Sequence, residues 1–371
     1  MSRSNQPTVA IIGAGVVGQT LALSLADTHQ VTLFDRQQPG QEASWAGGGI
    51  LSPLYFWQYD EAVLTLCQDA VSDYAQLAEQ LRRTTGIDVH YRPCQLRIHD
   101  ELDESTRQQI TQLSHYYRCQ WQQRAEHHPL LSSLVAQIRN PRLMKALNAQ
   151  VNNRGIKLCV EAQLQLQREP QASTVKIGLG ASTLAHFDEI VVCAGAWSSK
   201  LLEPLLNPLG LHLPVKPIRG QMLALKCNDP FFSEPHVDMK NGVYVIPRPD
   251  GIVVIGSTLE DVGFDQRTTQ SARNELYQQA LELRPELEGA EQVKHWAGLR
   301  PSSPKNIPVI AKVPELKNLS ISTGHFRYGI TMALNSAKIM TQLLLEGEYP
   351  EPFAHLAEQL QIPAHESRYP N

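Results

Sequence analysis

Three glycines and an acid near the start of the chain, with a tyrosine and two arginines far from them, are the residues whose types and spacing could do chemistry. Gly13, Gly15 and Gly18 fall in the spacing G-x-G-x-x-G within GAGVVG, directly after the apolar run Val9, Ala10, Ile11 and Ile12. In such a turn the first glycine permits the tight bend, and the second lets a pyrophosphate approach the backbone. The third lets the following helix pack close to the sheet, and Ala22 adds a small residue one turn further on. That helix begins with free N–H groups and the positive end of its dipole aimed at an anion. Asp35 ends the next strand, residues 31–34, where a carboxylate can accept ribose hydroxyls. Strand, glycine turn, helix and acid together point to a dinucleotide with a free ribose, without separating FAD from NAD.

The second group is Tyr244, Arg300 and Arg327. Arg300 follows Trp-Ala-Gly-Leu and precedes Pro301, which places it in a turn after a sheet-rich section. Its guanidinium fork could hold a carboxylate bidentately or make an ordinary surface ion pair. The Tyr244 phenol could bond the same carboxylate or be a core aromatic. Arg327, inside GHFRYG before a helix, offers a second positive charge or a contact to phosphate or solvent. His325 reads as structural. His127 and His128, before Pro129, have no third ligand at matching spacing, so no metal site is expected.

The elements that must position these groups follow from length and pattern. At 371 residues the chain exceeds what one core usually fills, so two domains are expected. With 42% hydrophobic and 19% charged residues it has the composition of a globular enzyme, and a net charge of −4 argues against nucleic acid or an anionic membrane as partner. Six scattered cysteines without a C-x-x-C pair suggest neither zinc nor disulfides, and fit a reducing compartment. MSRSNQP runs straight into the first strand, leaving no room for a signal peptide, and no apolar stretch could span a bilayer. A cytoplasmic location is expected.

In residues 36–53, RQQPGQEASWAGGGILSP, Gly47, Gly48 and Gly49 suit a backbone passing close to a large planar ligand, anchored by Trp45, Ile50 and Leu51. A helix is expected over 61–84, with Ala62, Leu66, Ala70, Leu77 and Leu81 on its apolar face and Gly86 ending it. Strand 88–99 and a polar helix over 103–119 follow. Asn140 reads as the cap, and Pro141 as the first residue, of a helix running to about 153 with Gly155 beyond its end. Strands are expected at 157–160 and, continuing the sheet, at 164–168. Strand 189–193 leads into AGAWSSKLL, a second strand–turn–helix that would return the chain to the cofactor. Residues 211–293 alternate as an antiparallel sheet with one helix at 269–283, and strand 319–323 and helix 330–345 close the pattern.

The ordered motifs GAGVVG with Asp35-Arg36, ASWAGGGILSP, VVCAGAWS, RGQ (219–221), WAGLRP (296–301) and TGHFRYG (323–329) resemble the FAD-dependent glycine oxidase and D-amino-acid oxidase family. The likeness extends to about residue 350 and is strongest to the bacterial glycine oxidases of thiamine biosynthesis, which carry arginine in both last motifs. It implies an α/β fold in which a Rossmann-type FAD-binding domain joins an antiparallel-sheet substrate domain, glutathione-reductase-like and of the D-amino-acid oxidase type. The expected FAD domain is 1–85, 141–205 and 296–350, the substrate domain 86–140 and 206–295, with a tail at 351–371.

The resemblance implies non-covalent FAD, since GLRPSSPKNIPVI lacks the cysteine that covalent relatives use there. It places cofactor contacts on Gly13, Ala14, Gly15, Val17, Gly18, Asp35, Arg36, Ser44, Gly48, Gly49, Ile50, Leu164, Ala194, Gly195, Trp197, Arg327, Tyr328, Gly329 and Ile330. Substrate contacts fall on Arg300, Arg327, Tyr244 and Ile50. The implied reaction is oxidative deamination of glycine and other small amines or D-amino acids. Arg300 would clamp the carboxylate, hydride would pass from Cα to flavin N5, and O2 would reoxidise the flavin to give H2O2. No catalytic acid or base is implied; the amides of Gly329 and Ile330 would stabilise charge on the reduced flavin. A quinone-linked D-amino-acid dehydrogenase and an oxidase of another secondary amine such as sarcosine stand as alternatives. Family members are often homo-oligomers.

Overall fold

The computed structural model describes residues 6–52, 55–99, 102–116, 121–122, 130–169, 171, 173–179, 183–227 and 232–360. His127, His128 and most of the expected tail lie outside these residues.

Residues of the first strand, Thr8–Ile12, alternate between two cores, as the period of two along a strand requires. Val9 and Ile11 face the helices Val16–Leu25 and Gly329–Glu346, packing with Leu21, Ala22, Met332 and Met340. Ala10 and Ile12 face the opposite side, with Val175, Ile177, Leu202 and Leu205. Buried on both faces, Thr8–Ile12 runs parallel to Gln30–Phe34 and Glu189–Val192, near the middle of a six-stranded sheet. Leu319–Thr323 and Lys157–Cys159 extend it in parallel, and Val309–Lys312 closes one edge antiparallel.

A second, nine-stranded sheet is built mainly of antiparallel pairs around Lys216–Lys226, Ile252–Gly256 and Val243–Pro247. The helix Gln270–Leu283 covers one face through Leu276 and Ala280. The α/β fold with a parallel cofactor-type sheet and an antiparallel sheet is therefore the one the motifs implied. Among the described residues no helix is long and apolar enough to cross a membrane, and no cluster of side chains could hold a metal ion.

Several elements differ from expectation. The helix over 61–84 is two helices, Glu61–Cys67 and Ala70–Thr85, separated where Asp69 adopts a φ of +59°. The Asn335 amide draws the chain into that break by donating to the carbonyls of Leu66 (3.1 Å) and Gln68 (2.9 Å). Leu164–Glu169 does not continue the main sheet; it opens a three-stranded antiparallel sheet of its own. Ile50–Leu51 pairs with Ala136 and Gln137 of the nine-stranded sheet, and Glu291–Ser302 is one continuous strand across the expected boundary at 296. Arg300 thus lies in a strand, opposite Ile218, rather than in a turn.

The opening turn is sterically closed to side chains. Gly13 has a φ of +110°, and its N–H donates to the Phe34 carbonyl at 2.7 Å. A Cβ on Gly18 would lie 1.8 Å from the Gly13 carbonyl oxygen, a backbone atom that cannot step aside. Gly18→Ala should therefore destabilise the protein by roughly 3 kcal/mol, the upper range for overpacking. Denaturant unfolding checks this, and loss of bound yellow cofactor should accompany it.

Candidate active site

The glycine turn opens onto a cavity of about 820 Å³ that runs between the two large sheets. Its wall includes Gly13, Gly15, Val17, Asp35, Arg36, Ser44, Gly48, Gly49 and Ile50 from the first part of the chain. Leu164, Ala194, Gly195, Trp197, Arg327, Gly329 and Ile330 complete it from the later parts. Ala14 and Gly18 stand behind this wall, where Ala14 is fully buried and Gly18 supports the turn. Tyr328 faces a smaller neighbouring cavity instead.

Each polar group at the turn has a local reason for its position. The Asp35 carboxylate accepts from the Ala14 N–H at 2.7 Å and from the Gln37 N–H at 2.9 Å. Burial pushes its pKa up, and those two amides oppose the shift. Ser44 Oγ accepts from the Val16 N–H at 3.0 Å, taking one of the free donors at the helix start. The Arg36 guanidinium lies 3.7 Å over the Trp197 ring and pairs with Glu42, so VVCAGAWS and the Asp35-Arg36 pair meet in space.

The three-glycine segment is glycine largely because of protein neighbours. A Cβ on Gly48 would meet the Tyr244 ring at 2.8 Å, and one on Gly49, where φ is +72°, would lie 2.1 Å from the Ile138 carbonyl. Arg248, 4% exposed, donates to the Gly48 carbonyl and to Gln137 Oε1, holding the segment from beneath. Nothing in the sequence pattern around Arg248 marked it for that task.

Asn140 corrects a second reading. It occupies the first turn of helix Asn140–Asn153 while Arg139 stands at the cap position, and its side chain caps nothing. It is 1% exposed, and neither amide atom has a hydrogen-bond partner among the described residues. A buried primary amide left unpaired is expensive. Because Asn140 also lines the large cavity, a polar ligand there would supply what it lacks.

The smaller cavity, about 120 Å³, shares Gly47, Gly48, Gly49, Ile50, Arg300 and Arg327 with the larger one and adds Tyr244, Met222, Tyr55, Ser257 and Tyr328. Arg300 is fixed there from two sides. Its Nη1 donates to the Thr258 carbonyl at 3.1 Å and its Nη2 to Ser257 Oγ at 2.5 Å. The guanidinium lies against the backbone of Gly220, where a Cβ would sit 2.1 Å from Nη1; this explains the glycine of RGQ. Burial lowers the pKa of Arg300, and the adjacent Tyr244 phenol counters part of that. The Tyr244 hydroxyl donates to Met222 Sδ at 3.1 Å. Arg327 is exposed at the rim, 5.1 Å over the Phe326 ring, and its guanidinium forms no hydrogen bond or ion pair among the described residues.

The chain that carries this large cavity, and a small pocket ending on a half-buried arginine, is similar over most of its length to known proteins. Residues 8–343 fit the family model described as FAD-dependent oxidoreductase. The chain belongs to that family. It is 38% identical to the glycine oxidase of Pseudomonas putida, over 93% of this chain and 97% of that protein. It is 37% identical to the glycine oxidase of Pseudomonas aeruginosa over 93% of this chain and 98% of that one. The crystal structure of glycine oxidase from Geobacillus kaustophilus superposes with a TM-score of 0.85 at 24% identity, covering 95% of this chain and 98% of that one, which establishes a common fold. As a member of the FAD-dependent oxidoreductases this chain uses FAD, and the unpaired Asn140 amide, the glycine cradle and the size of the larger cavity fit it.

Two predictions arise from these walls. Asn140→Ala should weaken FAD binding about tenfold, the worth of one hydrogen bond, while leaving the apoprotein as stable as before or more so. Flavin fluorescence on dilution and thermal unfolding of the apoprotein read the two effects separately. His325, 2% exposed and bonded to Ser336 Oγ at 2.9 Å, has its pKa pushed down to about 4 by burial. The unfolded chain takes up that proton near pH 6.5, so the stabilisation is complete above pH 6.5 and is lost progressively as pH falls towards 4. Urea unfolding of the holoenzyme from pH 7 to 4 should show a decline on the order of 3 kcal/mol that His325→Gln reduces.

Proposed function

We propose that the chain is a glycine oxidase, oxidising glycine and other small amino acids at the α-carbon. The observation that carries this is Arg300, a desolvated guanidinium lining both a cavity of about 820 Å³ and a pocket of about 120 Å³. The similarity to the glycine oxidases of two pseudomonads supports the same substrate.

In this reading the glycine turn, Asp35, Arg36, Ser44, Leu164 and the 194–197 turn hold the dinucleotide part of FAD, and Gly48 to Ile50 with Arg327 to Ile330 hold its reactive end. We propose that the FAD domain comprises 1–85, 141–205 and 303–350 and the substrate domain 86–140 and 206–302, the expected boundary at 296 moving because strand Glu291–Ser302 belongs whole to the nine-stranded sheet. When bound, FAD supplies the two-electron acceptor and is returned to its oxidised form by O2, with release of H2O2. Arg300 holds the substrate carboxylate, fixing where the α-carbon sits; binding in a reactive geometry replaces a bimolecular encounter. Arg327, unpaired at the rim, adds positive potential that draws anionic ends inward. Ile50, Met222 and Tyr244 restrict volume, which favours glycine over residues with large side chains. No side chain is needed to carry a proton if the amine reacts neutral, and the resulting imine hydrolyses in water. We place the reaction in the cytoplasm, a location supported by the five described cysteines all being free.

Anaerobic addition of glycine to the purified holoenzyme should bleach the visible flavin band, and air should restore it with peroxide release. Arg300→Ala should lower kcat/KM for glycine by about a thousandfold, mostly through KM, the scale of breaking a desolvated charge pair. Arg300→Lys should recover part of the loss. An unbleached wild type, or an unaffected Arg300→Ala enzyme, would remove glycine oxidation as the function.

A further inference from the structure

We propose that Ser257 is a second ligand of the substrate carboxylate, donating its hydroxyl hydrogen beside the guanidinium of Arg300. The inference rests on the reading of the small pocket as an amino-acid site. Ser257 lines that pocket, and its Oγ accepts a hydrogen bond from Arg300 Nη2 at 2.5 Å. A serine hydroxyl has one hydrogen to give and two lone pairs to receive with. One lone pair is used by Arg300, while among the described residues no acceptor takes the hydrogen. Of the other hydroxyls in the pocket wall, Tyr244 has committed its hydrogen to Met222 Sδ and Tyr328 its own to the Tyr59 hydroxyl at 2.8 Å.

Accepting from a cation polarises the Ser257 O–H and makes it a better donor, since hydrogen bonds in a chain strengthen one another. The geometry adds to this. Of the five N–H donors of the guanidinium, Thr258, Ser257 and the Tyr244 phenol engage at most three, so Arg300 and Ser257 form a row of donors suited to a carboxylate's two oxygens.

The row is held rigidly by residues behind it, which include the RGQ motif. The Gln221 backbone holds Thr258 twice, its N–H donating to the Thr258 side-chain Oγ1 at 2.8 Å and its carbonyl accepting from the Thr258 N–H at 3.3 Å. Thr258 Oγ1 donates to Glu260, which is paired with buried Arg219. The segment that offers Ser257 to the pocket is therefore anchored one residue away by a charged network, and the hydroxyl is preorganised for its ligand.

The test is Ser257→Ala in the holoenzyme, read by acetate binding through perturbation of the visible flavin spectrum and by steady-state glycine oxidation. The expected result is a tenfold rise in both the acetate dissociation constant and the glycine KM. kcat should stay within twofold and FAD affinity should not change, and Ser257→Thr should restore binding. Against an Arg300→Lys background the Ser257→Ala effect on acetate should persist. Unchanged acetate binding would overturn the proposal. So would an effect that vanishes in the Arg300→Lys background, because Ser257 would then act only by positioning the guanidinium. If Ser257→Ala loses FAD, Ser257→Cys, close in size and weaker as a donor, carries the same comparison. Acetate binding that depends on Ser257 in an enzyme glycine fails to bleach would keep this inference and reject glycine as substrate.

Discussion

The pocket depends on a cation taken out of water with only neutral groups to receive it. Arg300 lies against the Gly220 backbone, donates to the Thr258 carbonyl and the Ser257 hydroxyl, and has the Tyr244 phenol beside it. Such a group keeps its charge at a penalty that neutral acceptors offset only in part, and it regains most when an anion arrives. The nearest carboxylate of the network, Glu260, is turned to Arg219, Gln221 and Thr258. Glu260 thus fixes the backbone that holds Arg300 while leaving the guanidinium without an ion-pair partner among the described residues, as the carboxylate-binding role proposed for it requires. Removing water from a paired site strengthens that interaction well beyond its worth at a surface.

The same logic governs the segment between the two cavities. Gly47 to Ile50 must pass between the Tyr244 ring, the Ile138 carbonyl and the cofactor cavity, and side chains on Gly48 or Gly49 would collide with protein before meeting any ligand. Arg248 and Gln137 hold this backbone by hydrogen bonds, and Trp296 Nε1, on the strand at the opposite end of the same nine-stranded sheet, donates to the Ala46 carbonyl at 3.0 Å. The wall common to the two cavities is therefore tied to the nine-stranded sheet at several points, so the relative placement of the cavities is set by the fold.

How much of this could be read from the sequence depended on whether the cause was local. The glycine turn was legible because strand, turn, helix and acid follow one another within residues 8–35 and their steric demands are local. The antiparallel region, the last helix and the helix Gln270–Leu283 were legible for the same reason. The break at Asp69 was not, because its cause, the Asn335 amide, is far along the chain. Asn140-Pro141 has the pattern of a cap, and local pattern could not show that cavity and cap compete for one side chain. Arg300 was picked out by type, but its setting in a strand required the pairing with Ile218. Arg248 and Ser257 carry no local signal, since their roles come from sheet register and from the carbonyl or guanidinium they meet across it.

That register explains why the chemistry needs so few side chains. Arg248 is a buried and Arg300 a half-buried cation beside the second sheet, and Arg327 stands at the rim, unpaired among the described residues. Burial lowers the pKa of Arg248 to about 10 and also lowers that of Arg300, yet both stay charged at neutral pH. His325, in the wall of the cofactor cavity, is held neutral, so the positive potential there does not change with pH near neutrality. The free N–H groups at the start of Gly329–Glu346 point the same way. A site with fixed positive charge around it favours a bound carboxylate and any negative charge gained on reduction, without an acid or base that must titrate. Proton-independent electrostatics is the economical design when the hard step belongs to a cofactor. It also predicts which residues tolerate change least: those, such as Gly220 and Gly48, whose lack of a side chain lets the cations and their walls come so close.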